Sequence, residues 1–207
     1  MNYNSAIKIL NKYKIRNVES AIVSTYDDAV KFWNGKGMIT MKVISDKALH
    51  KSKNGLVSLY LSNPKQIQDA FLILKKRALK LKLGKYKIVV QRMILGGTEI
   101  IIGGNIDQQF GKMILLGLGG IYVETFKDFA LRLCPISKNE AFSMIDQLKS
   151  SNIIAHDAKS RELIASLLLK VSKMFSENDF VEMDLNPIIL HDETYDAVDL
   201  RLMSDKG

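Results

Sequence analysis

The chain has 207 residues, 47% apolar and 25% charged, which describes a globular protein and excludes a disordered one. Its single cysteine, Cys134, excludes an internal disulfide and makes a reducing cytoplasm the default compartment. The net charge of +8 favours an anionic partner: nucleic acid, nucleotide or an acidic protein.

The N-terminus, MNYNSAIKILNKYK, lacks an uninterrupted apolar stretch and does not read as a secretory signal. Residues 5–13 read as a short amphipathic helix, Ala21–Ser24 as a strand, and Tyr26–Trp33 as a helix whose Asp27 and Asp28 suit its N-terminal dipole. Met38–Ile44 is an apolar strand interrupted only by Thr40 and Lys42. A polar segment, Ser45–Gly55, precedes a second strand at Leu56–Leu61. Asn63-Pro64 supplies an N-cap and first-turn proline for a helix running to about Leu83. Its outer face carries Lys75, Lys76, Arg77, Lys80 and Lys82, which reads as a solvated face before a nucleic-acid patch.

Lys87–Ile94 opens a strand-rich half, followed by strands at Glu99–Gly103, Lys112–Leu116 and Ile121–Val123. The longest apolar run, Met113–Val123, has eleven residues and three glycines, too short to span a bilayer, so no membrane partner is expected. Ser137 with Glu140 forms a capping box for a helix to about Lys149, and Arg161–Phe175 is a further helix. The expected fold class is α/β (α+β), with a smaller lobe over 1–86, a larger lobe over 87–207, and the ligand site between them.

The last stretch, FVEMDLNPIILHDETYDAVDLRL, alternates at period two, with Glu182, Asp184 and Asn186 on one face. A hairpin centred between Asp192 and Glu193 places Asn186 directly across from Asp199, with Asp184 two residues along the same face. Such oxygen donors suit Mg²⁺, which keeps waters and substrate phosphates in its remaining positions. An ordinary hairpin with a polar outer face has the same pattern. Lys42 calls for an anion such as phosphate, or snorkels from an edge strand. His50 lies among Lys47, Lys51 and Lys53, where imidazole could accept a phosphoryl group, or is a plain surface histidine. The GLGG run at Gly117–Gly120 lets backbone approach an anion or merely turns the chain.

These segments, in this order, resemble the β subunit of ADP-forming acyl-CoA synthetases (acetate–CoA ligase, ADP-forming), ATP-grasp proteins related to the β subunit of succinyl-CoA synthetase. The resemblance is carried by MKVISDKALHKSKNGLV, VVQRMILGGTE, GGNIDQQFGKMILLGLGGIYVETFKDFALRLCP, EMDLNPI and AVDLRL, which cover nearly the whole chain. It implies a two-lobed ATP-grasp fold with the nucleotide between the lobes and the phosphohistidine loop at 45–56. Lys42 would contact the nucleotide phosphates, Gln91 and Met93 would lie beside the adenine, and Glu99 near the ribose or catalytic phosphate. Asn186 and Asp199 would bind Mg²⁺, His50 would carry the phosphoryl group, and Asp184 would steady it. The resemblance further implies ATP or ADP as substrate and a CoA-binding α subunit as partner in an α₂β₂ assembly, with acyl-CoA, ADP and phosphate interconverted with acid, CoA and ATP. The sequence departs from the family at Lys53, Leu56, Lys112 and Ile154–Lys159. An alternative is therefore a nucleotide-binding subunit without turnover, serving regulation or scaffolding. A nucleic-acid-binding module fits the charge but finds no aromatic platform, so no nucleic-acid partner is expected.

Overall fold

The computed structural model describes residues 2–45, 55–120, 128–191 and 193–204. The chain forms two units, Val18–Leu95 and a second assembled from Met1–Asn17 with Gly96–Gly207.

The first unit is a four-stranded antiparallel sheet in the order β1-β4-β2-β3, where β1 is Ser20–Val23, β2 Ile39–Ile44, β3 Val57–Leu61 and β4 Lys87–Arg92. Helices α2 (Tyr26–Trp33) and α3 (Pro64–Lys80) cover one face. Alternation along β2 sends Ile39, Met41 and Val43 into a core with Ile67, Phe71 and Leu74 of α3. Each such fully buried side chain contributes about 1.5–3 kcal/mol. The helices begin as their sequences direct: Thr25 and Asp28 form a reciprocal capping box, and Asn63 Oδ1 accepts from Gln66 N at 2.9 Å ahead of Pro64.

The second unit is built on a sheet in the order β10-β8-β5-β6-β7, with β9 also on β8. Its strands are β5 (Thr98–Asp107), β6 (Gly111–Leu118), β7 (Phe129–Leu133), β8 (Phe180–His191), β9 (Thr194–Ala197) and β10 (Leu200–Ser204). Helices α1 (Tyr3–Lys12), α4 (Lys138–Gln147) and α6 (Ala158–Ser176) pack on one face with a one-turn α5 (Ser151–Ile154). Ile100, Ile102, Ile114, Leu116, Met183 and Leu185 point into this core.

The expected boundary after residue 86 is displaced at both ends. Lys87–Arg92 is an interior strand of the first sheet, bonded to both β1 and β2, and cannot leave it. Residues 1–17 belong instead with the second unit. Leu10 is fully buried there, Tyr13 Oη donates to Glu177, and the Arg16 guanidinium meets the buried Asp196 carboxylate at 2.9 Å. That carboxylate raises the Arg16 pKa through its hydrogen bond and its charge. Strand β7 and helix α5 have no counterpart in the sequence reading, and the expected strand at 121–123 lies outside the described residues.

Three family departures have structural work to do. Leu56 is fully buried in the first unit's core, and its carbonyl accepts from Val43 N at 2.9 Å. Lys112 Nζ donates to the Phe175 carbonyl at 2.8 Å and also to those of Ser176 and Asn178, so the ammonium closes the C-terminal end of α6. Within 154–159, Asp157 is the N-cap of α6, accepting from Ser160 N at 2.7 Å.

Candidate active site

In the first unit the face of the sheet opposite the helices carries Lys42 and Gln91. Thr40 lies directly across from Gln91, and Val89 across from Lys42. Lys42 is 4% exposed and Gln91 2%. Strand β2 is interior, flanked by β4 and β3, so Lys42 does not snorkel from a sheet edge. The Gln91 side-chain oxygen is buried without a hydrogen-bond donor among the described residues, so this face holds an acceptor that a ligand's N–H could satisfy. Met93 follows β4 and is tied down by its N–H, which donates to Met38 O at 3.0 Å.

Arg92, between those two, escaped the sequence reading. Its five N–H donors all find acceptors: Glu19, the carbonyls of Phe32, Trp33 and Lys36, and the Asn34 side chain. The guanidinium also lies over the Phe32 ring at 4.8 Å. It closes the C-terminal end of α2 and fixes the end of β4 that presents Gln91 and Met93. Nothing in the local pattern marks it, because all its partners are more than fifty residues away in sequence.

In the second unit the hairpin register is the one the sequence predicts. Ile188 pairs with Ala197 and His191 with Thr194, while Leu185 pairs with Leu200 and Asp184 with Arg201. Every one of these pairs sums to 385. Asn186 N–H donates to the Asp199 carbonyl at 3.2 Å, so these two residues face each other between the paired segments. The Asp199 carboxylate also accepts from Leu200 N at 3.1 Å, which orients it. Met183 and Leu185 are buried, whereas Asp184 is partly exposed and Asn186 exposed, so the acidic and amide groups share the outer face.

Across the sheet from Asp184 stands Gly103 of β5, and beyond it Leu115 of β6. A Cβ at Gly103 would make only ordinary contacts, at 3.8 Å, so the surface beside Asp184 is bare backbone with room above it. Glu99, at the other end of β5, is exposed, and its carbonyl accepts from Gly119 N at 2.7 Å. A Cβ at Gly119 would fall 2.8 Å from the Glu99 backbone, so that glycine of GLGG serves close strand approach. His50 and Lys53 lie outside the described residues.

No three His, Cys, Asp or Glu side chains gather as a metal cluster among the described residues. The hairpin offers instead one carboxylate, one amide and a second carboxylate along the strand. This donor set fits Mg²⁺, which commonly takes one or two protein oxygens and fills its octahedron with water and phosphate.

An ATP-grasp domain profile matches residues 1–203. The chain is 32% identical to the acetate–CoA ligase (ADP-forming) I subunit β of Pyrococcus furiosus, over 96% of this chain and 89% of that one. It is 33% identical to acetate–CoA ligase (ADP-forming) I of Archaeoglobus fulgidus, over 95% of this chain but only 30% of that longer one. A crystal structure from Pyrococcus horikoshii superposes with a TM-score of 0.90 at 32% identity, over 98% of this chain and 90% of that one. An acetyl-coenzyme A synthetase of Ca. Korarchaeum cryptofilum, in complex with coenzyme A, Ca-AMPCP and HgCl⁺, superposes at 0.89 and 28% identity, over 98% and 92%. The same Korarchaeum enzyme has been solved with coenzyme A and Mg-AMPPCP, its phosphohistidine segment pointing towards the nucleotide binding site; that chain superposes at 0.80 and 27% identity, over 99% and 92%.

Proposed function

The chain belongs to the ATP-grasp family of ADP-forming acyl-CoA synthetases, and from that premise we propose that it is the nucleotide-binding half of such an enzyme. The observation that carries this is the register that sets Asn186 against Asp199, with Asp184 on the same face, in a chain matching the family from residue 1 to 203. The reaction interconverts acyl-CoA, ADP and phosphate with a carboxylic acid, CoA and ATP.

In this reading Lys42 neutralises phosphate charge, and its burial strengthens the attraction. A unit pair about 4 Å apart gains roughly 4 kcal/mol at an effective dielectric near 20. Gln91 and Met93 hold the base, and Glu99 orients the ribose or the reacting phosphate. Asn186 and Asp199 hold Mg²⁺, which when bound offsets charge on the nucleotide phosphates. The His50 imidazole nitrogen attacks the γ-phosphorus of ATP and ADP leaves; the reverse transfer makes ATP. Asp184 accepts a hydrogen bond from the other ring nitrogen and orients the imidazole. Leu56, Lys112 and Asp157 are accounted for by packing and capping, so those departures remove none of the proposed site residues.

The sequence has no GxGxxG turn of the kind that opens a CoA-binding Rossmann domain, and in this reading the acyl phosphate comes from a second, CoA-binding subunit, in an α₂β₂ assembly. The Archaeoglobus relative, of which this chain matches 30%, supports that division of labour. The nucleotide and thioester substrates place the work in the cytoplasm. The test supplies γ-labelled ATP and the CoA-binding subunit, and follows acid-labile, base-stable label on this chain. His50→Asn abolishes it, whereas the same change at His156 or His191 leaves it. Label persisting in His50→Asn overturns the assignment, and thioester formation by the isolated chain overturns the half-enzyme reading.

A further inference from the structure

Between Asp69 and Glu99 the sequence has no carboxylate and eight Lys or Arg, as many as the net charge of the whole chain. Six of them, Lys75, Lys76, Arg77, Lys80, Lys82 and Lys85, lie on the second half of α3 and its exit. The same surface is also apolar. Leu72 is 55% exposed and Leu79 64%, with Ile73 and Leu81 exposed as well. Leu72, Lys76 and Leu79 recur at i, i+4 and i+7 and share one side of α3, opposite the buried Ile67, Phe71, Leu74 and Ala78. Leu72 and Leu79 flank Lys76 as an apolar pair on this face, where a nucleic-acid face would carry aromatic or polar groups.

A second observation locates the partner. The segment bearing His50 is rooted at this same end of α3. Arg77 Nη1 donates to the Gly55 carbonyl at 2.6 Å on one side, and Ser45 Oγ donates to the Leu83 carbonyl at 3.2 Å on the other. His50 is five residues from each root, so a protein that exchanges a phosphoryl group with it has to come within about 18 Å of them. We propose that the Leu72–Lys82 face of α3 is the docking surface for the CoA-binding subunit, which meets it with an apolar centre rimmed by carboxylates. This rests on the half-enzyme reading above and adds to it the place of contact. Leucines at the centre and lysines at the rim follow the usual anatomy of a protein interface, in which charge steers approach and apolar contact slows release.

The test titrates the intact chain with the CoA-binding subunit of an ADP-forming acyl-CoA synthetase from the same organism, at low and high salt. Lys76→Glu/Lys80→Glu should raise the Kd at least about tenfold and remove most of its salt dependence. Leu72→Ser/Leu79→Ser should raise the Kd comparably while keeping that dependence. Both variants should bind MgADP as the parent does, which shows that they are folded. A complex that forms equally well with either variant overturns this surface and leaves the half-enzyme reading intact. Failure of the parent to form any complex overturns both. A fluorescent RNA oligomer bound by the parent and by Leu72→Ser/Leu79→Ser but not by Lys76→Glu/Lys80→Glu, with subunit affinity unmoved, overturns the proposal in favour of a nucleic-acid face.

Discussion

The two sheets hold their candidate groups in opposite ways. In the first unit Lys42 and Gln91 are nearly inaccessible, on interior strands with Thr40 and Val89 across from them. In the second, Asp184, Asn186 and Asp199 stand on the partly open face of a hairpin beside the bare backbone of Gly103. The difference follows the chemistry proposed for each. A cation that grips a phosphate gains most where water is excluded and the effective dielectric is low. Oxygen ligands for Mg²⁺ need room, because that ion dehydrates reluctantly and keeps waters in its shell. One sheet thus offers a dry charge and the other wet oxygens.

The largest expected effect tests the dry side. Leu56→Gly restores the family residue but empties a fully buried position beneath β2. It should cost at least about 3 kcal/mol, in the range for Leu truncation in a core, read by urea unfolding. Amide exchange should accelerate along β2 and β4 while β5 and β8 keep their protection. Equal acceleration in both sheets would break the contrast. The next effect is on the wet side. Asp199→Ala should abolish the difference between MgADP and metal-free ADP affinity in calorimetric titrations, with the fold intact, a loss of about 2 kcal/mol or roughly thirtyfold. Unchanged Mg²⁺ dependence in the folded variant would remove the hairpin from the site. Lys42→Met should weaken ADP about tenfold, or 1.4 kcal/mol, and leave adenosine unaffected. The fold should hold, since an apolar, unbranched side chain of similar length fills the same space. A stability loss with ADP affinity intact would make Lys42 structural.

What the sequence made legible is what is local. The hairpin register follows from period-two alternation and one polar turn, and its pairs fall where counting puts them, because a slip of one residue would bury Asp184 and expose Leu185. The helices that follow Asn63 and Ser137 are likewise announced by capping residues, and the one that follows Thr25 by Asp27 and Asp28 in its first turn. What stayed hidden is long-range. The N-terminal seventeen residues join the far unit through Leu10 and the Arg16–Asp196 pair, whose partners lie 180 positions apart. Lys112 reads as a damaged motif until its ammonium is seen closing α6, 63 residues on. Lys42 and Gln91 are each ambiguous alone; their common face appears only once β2 and β4 are known to be neighbours.

The smallest effect separates a structural carboxylate from the candidate ones on the second unit. Burial pushes the Asp128 carboxyl up, but backbone N–H groups of Lys149 and Ser150 donate to it at 2.9 and 2.8 Å, and the net effect holds its pKa below the ordinary 3.8. A carboxylate with a lowered folded pKa adds stability that is complete above its unfolded value and is lost as pH falls through the folded one. Asp128→Asn should therefore be slightly less stable than the parent by a constant margin above about pH 5, with the margin closing on acidification below the unfolded carboxylate pKa near 3.9. MgADP affinity at neutral pH should not move, because Asp128 ties the turn before α5 to the start of β7 and lies off the Asp184–Asp199 face. A variant whose stability deficit stays constant into acid would deny Asp128 its charge-based role. One that loses MgADP affinity would instead extend the wet face of the second sheet to this carboxylate.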